Sequence, residues 1–229
     1  LTRRIESLKG ARVSPPRITM ETRSWFNPNL ESRYYYVPGL IAIMLILLSM
    51  MVASIAIVRE KEGGTIEQVM VTPIRKTEFI LGKTLPYLII GYIVMTLMFI
   101  IARIIFGIHI QGSVILLYGL TGIYLVGNLG LALLISVSAH TQQQALLTAF
   151  FILMPAILLS GFIFPINNMP LPIQYATFIN PMRWYMDIIR GVVMKGVGVV
   201  PLANAIVGQS ILAISFLVIA TKRFHKTLE

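Results

Sequence analysis

The stretch Val37-Pro38-Gly39-Leu40-Ile41-Ala42-Ile43-Met44-Leu45-Ile46-Leu47-Leu48-Ser49-Met50-Met51-Val52-Ala53-Ser54-Ile55-Ala56-Ile57-Val58 carries no charge, then breaks into Arg59-Glu60-Lys61-Glu62-Gly63-Gly64. A helix needs about 20 predominantly apolar residues to cross a hydrocarbon core, and it satisfies its own backbone groups while doing so. Residues 37–58 therefore read as a membrane span. Stretches at 84–106, 114–137, 145–164 and 201–221 have the same character. The expected fold is all-α: a polytopic transmembrane bundle of five spans over residues 37–229, with short interfacial and re-entrant helices. Residues 1–36 are polar, with Ser14-Pro15-Pro16 and a weak alternation at Ile18, Met20 and Thr22. They read as the remnant of an extramembrane domain, with at most one strand.

Composition agrees and excludes much else. Of the 229 residues, 56% are hydrophobic and 12% charged, with mean hydropathy +0.81. A soluble domain carries about 25% charged residues, so a soluble enzyme is ruled out. Cysteine is absent, and His109, His140 and His225 lie too far apart for ligand spacing, so no disulfide framework, metal centre or thiol nucleophile is expected. Neither a signal peptide nor a twin-arginine signal follows from the polar stretch around Arg3-Arg4. The chain opens on Leu1 rather than Met, which reads as a fragment or processed chain. Net charge is +10 with a pI near 10.1, a balance that points to nucleic acid or to an anionic membrane face. Placement decides for the membrane, and no nucleic-acid partner is expected. The 59–83 loop and the C-terminal tail carry eight Lys and Arg near span ends, against five on the other side. By the positive-inside rule the loop and the C-terminus are cytoplasmic.

The five stretches contain no Asp, Glu or His, and only Arg103 is charged. It sits near the end of its span, where it can snorkel or, alternatively, meet a substrate. Ion-driven carriers build their sites from intramembrane ionisable groups, so such a carrier would need acids from elsewhere. The string from Gly107 to Ser113 lacks the lysine of a phosphate-binding loop, and Leu159-Ser160-Gly161 likewise stops short of an ATPase signature. No hydrolase constellation can be assembled. Energy for any transport must come from a partner.

The 59–83 loop is where such a partner could act. Thr65 with Gln68 forms a capping-box pattern, and Pro73 ends the segment by removing a donor. Ile66, Val69 and Met70 share one face. Periodicity alone leaves two uses open for this short helix, an interfacial anchor or a knob seated in a partner's groove.

The run from Arg59 to Ile74 closely resembles the Arg-Glu-Lys-Glu…Gly-Thr-x-Glu-Gln…Thr-Pro signature of ABC type-2 transporter permeases, in their bacterial multidrug-efflux-type branch. Further matching strings are Asn27-Pro28…Tyr36-Val37-Pro38-Gly39, Thr141-Gln142-Gln143-Gln144-Ala145, Leu159-Ser160-Gly161-Phe162-Ile163-Phe164-Pro165 with Asn168-Met169-Pro170, and Asn180-Pro181-Met182-Arg183 with Arg190-Gly191. Their order and spacing agree from about Asn27 to the C-terminus, about nine-tenths of the chain. The resemblance implies a six-span permease with a large external domain after its first span, so the five spans here would be the second to sixth. It implies a non-enzymatic transport subunit that exports a hydrophobic or amphipathic compound across a bacterial inner membrane. No cofactor would sit on this chain; ATP and Mg would sit on an ATP-binding cassette subunit. A second permease copy, the lipid bilayer and, as an allowed further partner, a periplasmic adaptor complete the set. The ATPase-coupling contacts would be Glu60, Glu62, Gly64, Thr65, Glu67, Gln68, Thr72 and Pro73, with a second contact at Ala139, His140, Thr141, Gln142 and Gln143. A plain solvated turn is the other reading of that second loop, and a non-transporting membrane scaffold or assembly factor is the other reading of the whole chain.

After the fourth span, Pro165, Pro170 and Pro172 break the helix, and Asn180-Pro181 offers a cap followed by proline at the first helical position. Met182, Tyr185, Ile189 and Val192 or Val193 then form an apolar stripe beside Arg183, Asp187 and Arg190. Two short helices dipping into the outer interface are expected, as an external gate that includes Gly161, Pro165, Asn180, Pro181, Arg183 and Arg190, or as a surface-lying anchor. Trp184 and Tyr185 suit the aromatic belt. Gly119, Gly122, Gly127 and Gly130 favour close helix packing.

Overall fold

Eight α-helices make up the described part of the chain, which in this computed structural model comprises residues 32–64 and 76–226. Helix α1 (Ser32–Leu47) runs through a π-helical turn (Leu48–Val52) straight into α2 (Ala53–Glu62). Then come α3 (Lys76–Phe106), α4 (Val114–Ser138), α5 (Gln142–Leu158), the short α6 (Leu171–Ala176), α7 (Pro181–Lys195) and α8 (Ala203–Lys226). No strand occurs among the described residues. Residues 1–31 of the expected extramembrane remnant (1–36) and the 65–72 helix expected from the capping box lie outside them; residues 32–36 of that remnant form the start of α1.

Among the described residues four helices are long and apolar enough to cross a membrane: Arg33–Glu62, Leu81–Phe106, Val114–Ser138 and Val200–Arg223. The fifth expected span, 145–164, is instead the 17-residue helix α5. It starts earlier, because Thr141 accepts the Gln144 N–H and caps it. It ends at Leu158, before the proline at 165 that the sequence suggests as its stop. Gly161, at φ +79°, turns the chain there, and a side chain at that position would also crowd Ile166. At 1.5 Å per residue α5 reaches about 26 Å, at the short end for a span.

Helix α4 is the centre. Of its most apolar window 72% is buried, against 17% for α3 and 22% for α8. It packs along α8 and against α2, α3 and α7. In lipid the hydrophobic effect does not pull apolar helices together, so close van der Waals fit and polar links must do it. Gly127 and Gly130 supply the fit against Ala213, Phe216 and Leu217 of α8, and Gly122 admits the Tyr92 hydroxyl from α3. Gly119 faces open space and contributes nothing to packing. Polar links also join α4 to α7 and α1. Tyr124 stacks on Tyr185 of α7 with centroids 4.0 Å apart, and its hydroxyl donates to Ala42 O of α1 at 3.1 Å. Thr121 and Tyr185 share a hydrogen bond at 2.9 Å.

Helix α7 is not a surface-lying anchor. Its apolar stripe (Met182, Tyr185, Ile189, Val192, Val193) is buried within the bundle, where α7 packs against α1, α4 and α8. Trp184, expected in the aromatic belt, lies on Gly208 of α8 and donates its indole N–H to Phe178 O at 3.1 Å. The α7 C-terminus is stitched to the turn before α4, where Gln111 and Gly112 N–H groups donate to the Val193 and Val192 carbonyls. Arg103 is exposed near the end of α3.

Candidate functional site

The two ends of the α1–α2 helix hold the residues that the signature singles out. At the α2 end the apolar stretch is over at Val58, and a helix running from Ser32 to Glu62 is longer than a hydrocarbon core about 30 Å thick. The Arg59–Glu62 turn therefore projects beyond it.

Three consecutive charges in that turn each hold a different helix. Glu60 pairs with Lys83 of α3. Lys61 reaches across to the C-terminus of α4, where its ammonium donates to Ala139 O at 3.1 Å and Val137 O at 3.5 Å. The Glu62 carboxylate accepts the backbone N–H of Gln142 at 2.8 Å and the Gln142 side-chain amide, at the N-terminus of α5. The signs match the helix ends: orphan carbonyls and partial negative charge at the end of α4, orphan N–H groups and partial positive charge at the start of α5. This alternation of charge forms a clamp that sets the α4–α5 turn against α2. The Gln142 side-chain and backbone bonds, in that order, hold the Glu62 carboxyl below its ordinary pKa. Its folded-state pKa is depressed, so the contribution of this link is present above the ordinary carboxylate range and is lost as pH falls through the depressed value. Titrating the Glu62 carboxyl by NMR should therefore place its midpoint below that of an exposed glutamate, and the link should be unchanged across neutral pH.

Gly64 closes this end. Gly63 N–H returns to Arg59 O and Gly64 N–H to Lys61 O, and Gly64 itself takes φ +67°. No atom lies within 4 Å of the position a Cβ would take, so any cost of a side chain there is conformational. Gly64→Ala is expected to cost about 1 kcal/mol, read as a small drop in melting temperature.

The second expected contact, the α4–α5 turn, meets this clamp directly. Thr141 caps α5, Gln144 accepts the His140 N–H at 2.9 Å, and Gln142 bonds Glu62. His140, Thr141 and Gln143 remain exposed. Glu60, Glu62, Gly64, His140, Thr141, Gln142 and Gln143 are therefore gathered at one end of the bundle. Thr65, Glu67, Gln68, Thr72 and Pro73 lie outside the described residues. Glu60 and Glu62 each hold a partner within the chain. Lys61, Lys83 and Gln144 belong to the same arrangement and are not among the expected coupling contacts. The signal for Lys61 was its place between two acids at the end of a span.

At the α1 end a second group forms a latch. The Gly161 carbonyl accepts from Arg190 Nη1 at 3.2 Å and from the Tyr35 hydroxyl at 3.4 Å. The Arg190 guanidinium lies 4.1 Å from the Tyr35 ring centroid, a cation–π contact that supports its charge near apolar surroundings. Asn180 caps α7 by accepting Met182 N–H at 3.0 Å and donates to Ala156 O of α5 at 2.7 Å, with Pro181 as first helical residue. Arg183 stays with the hairpin, over Phe178 at 3.9 Å and bonded to Thr177. Pro165 is exposed at the start of a 3₁₀ turn. Of the expected gate residues, Gly161 and Arg190 meet, Asn180 and Pro181 fix α7 to α5, and Arg183 and Pro165 stand apart.

The contacts also bear on sidedness. The end of α2, which leads into the loop assigned to the cytoplasm by charge, touches the 138–144 turn. The turn before α4 likewise touches the C-terminus of α7. Residues 2–222 match the family model described as ABC-2 family transporter protein. The chain is 38% identical over 190 residues to the probable multidrug ABC transporter permease YbhR of Escherichia coli (strain K12), covering 83% of this chain and 51% of the relative. It is 34% identical over 215 residues to the probable multidrug ABC transporter permease YbhS of the same strain, covering 91% and 56%. To the inner membrane transport permease YhhJ it is 26% identical over 221 residues, covering 94% and 58%. The chain thus spans about half the length of the curated relatives it matches. It belongs to the ABC-2 family of transporter proteins.

Proposed function

We propose that the chain is the membrane-spanning part of a permease in an ATP-driven exporter of the bacterial inner membrane. The 59–83 loop and the C-terminus face the cytoplasm, and the hairpin around α6 and α7 faces outward. Hydrolysis takes place on a separate ATP-binding cassette subunit that holds ATP and Mg, and the permease acts with a second copy. The compound moved is hydrophobic or amphipathic, in keeping with relatives named as multidrug permeases and with spans free of acids.

One observation carries the reading. The turn that leads into the 65–72 segment is tied, by three successive side chains, to α3, α4 and α5. A push delivered to that segment has a direct route into most of the bundle. The energy enters as a difference in affinity of the ATPase subunit for two arrangements of the permease. Charge reversal at Glu67 combined with Pro73→Ala tests it. In the assembled complex, transport per ATP hydrolysed should fall by about tenfold, equivalent to about 1.4 kcal/mol of coupling. Unchanged capture of the ATPase subunit together with unchanged transport would sink the reading.

A further inference from the structure

The buried face of the α1–α2 helix has an unusual period. Pairs at 37/38, 41/42, 45/46, 49/50, 53/54 and 57/58 are buried, a strict repeat of four. An α-helix has 3.6 residues per turn, so such a stripe would rotate by about 40° at every repeat and leave the protein after a few turns. The π turn at Leu48–Val52 sits in the middle of the run and takes up an extra residue in a wider i→i+5 turn. It returns the stripe to the core. The Ser49 hydroxyl donates to Leu45 O, with Ile46 O at 3.5 Å, and so helps satisfy carbonyls where the ladder changes pitch.

The position of this turn separates two anchored halves. Above it, α1 is held by the Tyr35–Gly161–Arg190 latch and by the Tyr124 hydroxyl on Ala42 O. Below it, α2 is held by Glu60, Lys61 and Glu62 to α3, α4 and α5. A continuous α-helix fastened at both ends would carry any movement of the clamp straight into the latch. We propose that the π turn at Leu48–Val52 is the joint at which the clamp and the latch move relative to one another during the transport cycle. The inference rests on the transport reading above. The extra residue can pass along the helix by one position, changing the register between the halves while the chain stays helical.

Deleting Val52 tests this. The residue is exposed, and its loss brings the 53/54 pair three positions after 49/50, a spacing that suits an uninterrupted α-helix. The shortened permease, assembled with its ATPase subunit, should keep that subunit and melt within about 3 °C of the wild type. Transport should drop about tenfold or more while ATP hydrolysis continues. Transport at the wild-type level would overturn the joint. Should the shortened chain fail to assemble, hydrogen exchange on the wild-type complex decides. The amides of 48–53 should exchange about tenfold faster during ATP turnover than at rest, and equal rates in both states overturn the joint. Failure of the wild-type permease to bind any ATPase subunit would instead sink the transport reading itself.

Discussion

Exchanging the charges of the clamp, Lys61→Glu with Glu62→Lys, is expected to abolish coupling while leaving the permease folded. A carboxylate at 61 would face the Ala139 and Val137 carbonyls, and an ammonium at 62 would face the N–H group that opens α5. Each replacement sets like against like at a helix end, where the natural signs are stabilising. Both sites lie at the edge of the bundle, away from the core around Tyr124 and Tyr185, so the bundle itself should persist. The α4–α5 turn would no longer follow α2, and transport per ATP should fall by about a hundredfold in the assembled complex. Glu62→Gln provides the control. An amide oxygen still accepts the Gln142 N–H without the charge, so most of the transport should survive. Parallel transport and ATPase assays on the three proteins decide it. Equal transport in the double exchange and the wild type would show that the clamp carries no motion.

Much of this arrangement is written in the sequence, and the exceptions have physical causes. Apolar length alone gives the positions of α1–α2, α4 and α8, because nothing but a helix satisfies its backbone in lipid. The end of α5 escapes it. The apolar run continues to Phe164, yet the chain turns at Gly161, and apolarity does not distinguish a helix from a turn packed against Tyr35 and Arg190. The π turn escapes a search for helical periods in hydropathy, since residues 37–58 are apolar all round. Only the burial pattern reveals the repeat of four. For the site, the motif names segments that the fold brings together at one end of the bundle but leaves the work of each side chain open. Read from the signature, Glu60 and Glu62 are expected contacts for a partner; within the chain they pair with Lys83 and Gln142. The pairing depends on where the α4–α5 turn lies, and that is a tertiary fact.

The largest effect on stability is expected at the seam between α4 and α8. A Cβ on Gly130 would lie 3.0 Å from Phe216 Cβ and 3.1 Å from Leu217 N, while one on Gly127 would meet Ala213 at an ordinary 3.4 Å. The two glycines are three residues apart on one face and would be treated alike by a small-residue motif. Their surroundings differ. At 127 a methyl fills contact distance; at 130 it presses on backbone, which cannot swing aside as the end of a long side chain can. Gly127→Ala should therefore be nearly neutral, with helix propensity in its favour. Gly130→Leu must part the helices along the most extensive contact of the bundle, at a cost of about 3 kcal/mol. In detergent the melting temperature of the assembled permease should fall by several degrees for Gly130→Leu and hold for Gly127→Ala. Equal behaviour of the two variants would mean that α4 and α8 do not pack closely at Gly130. Because the clamp takes hold of α4 at its C-terminus, loosening this seam should also weaken transport before it unfolds the protein, a loss that a temperature series of transport rates would reveal below the melting transition.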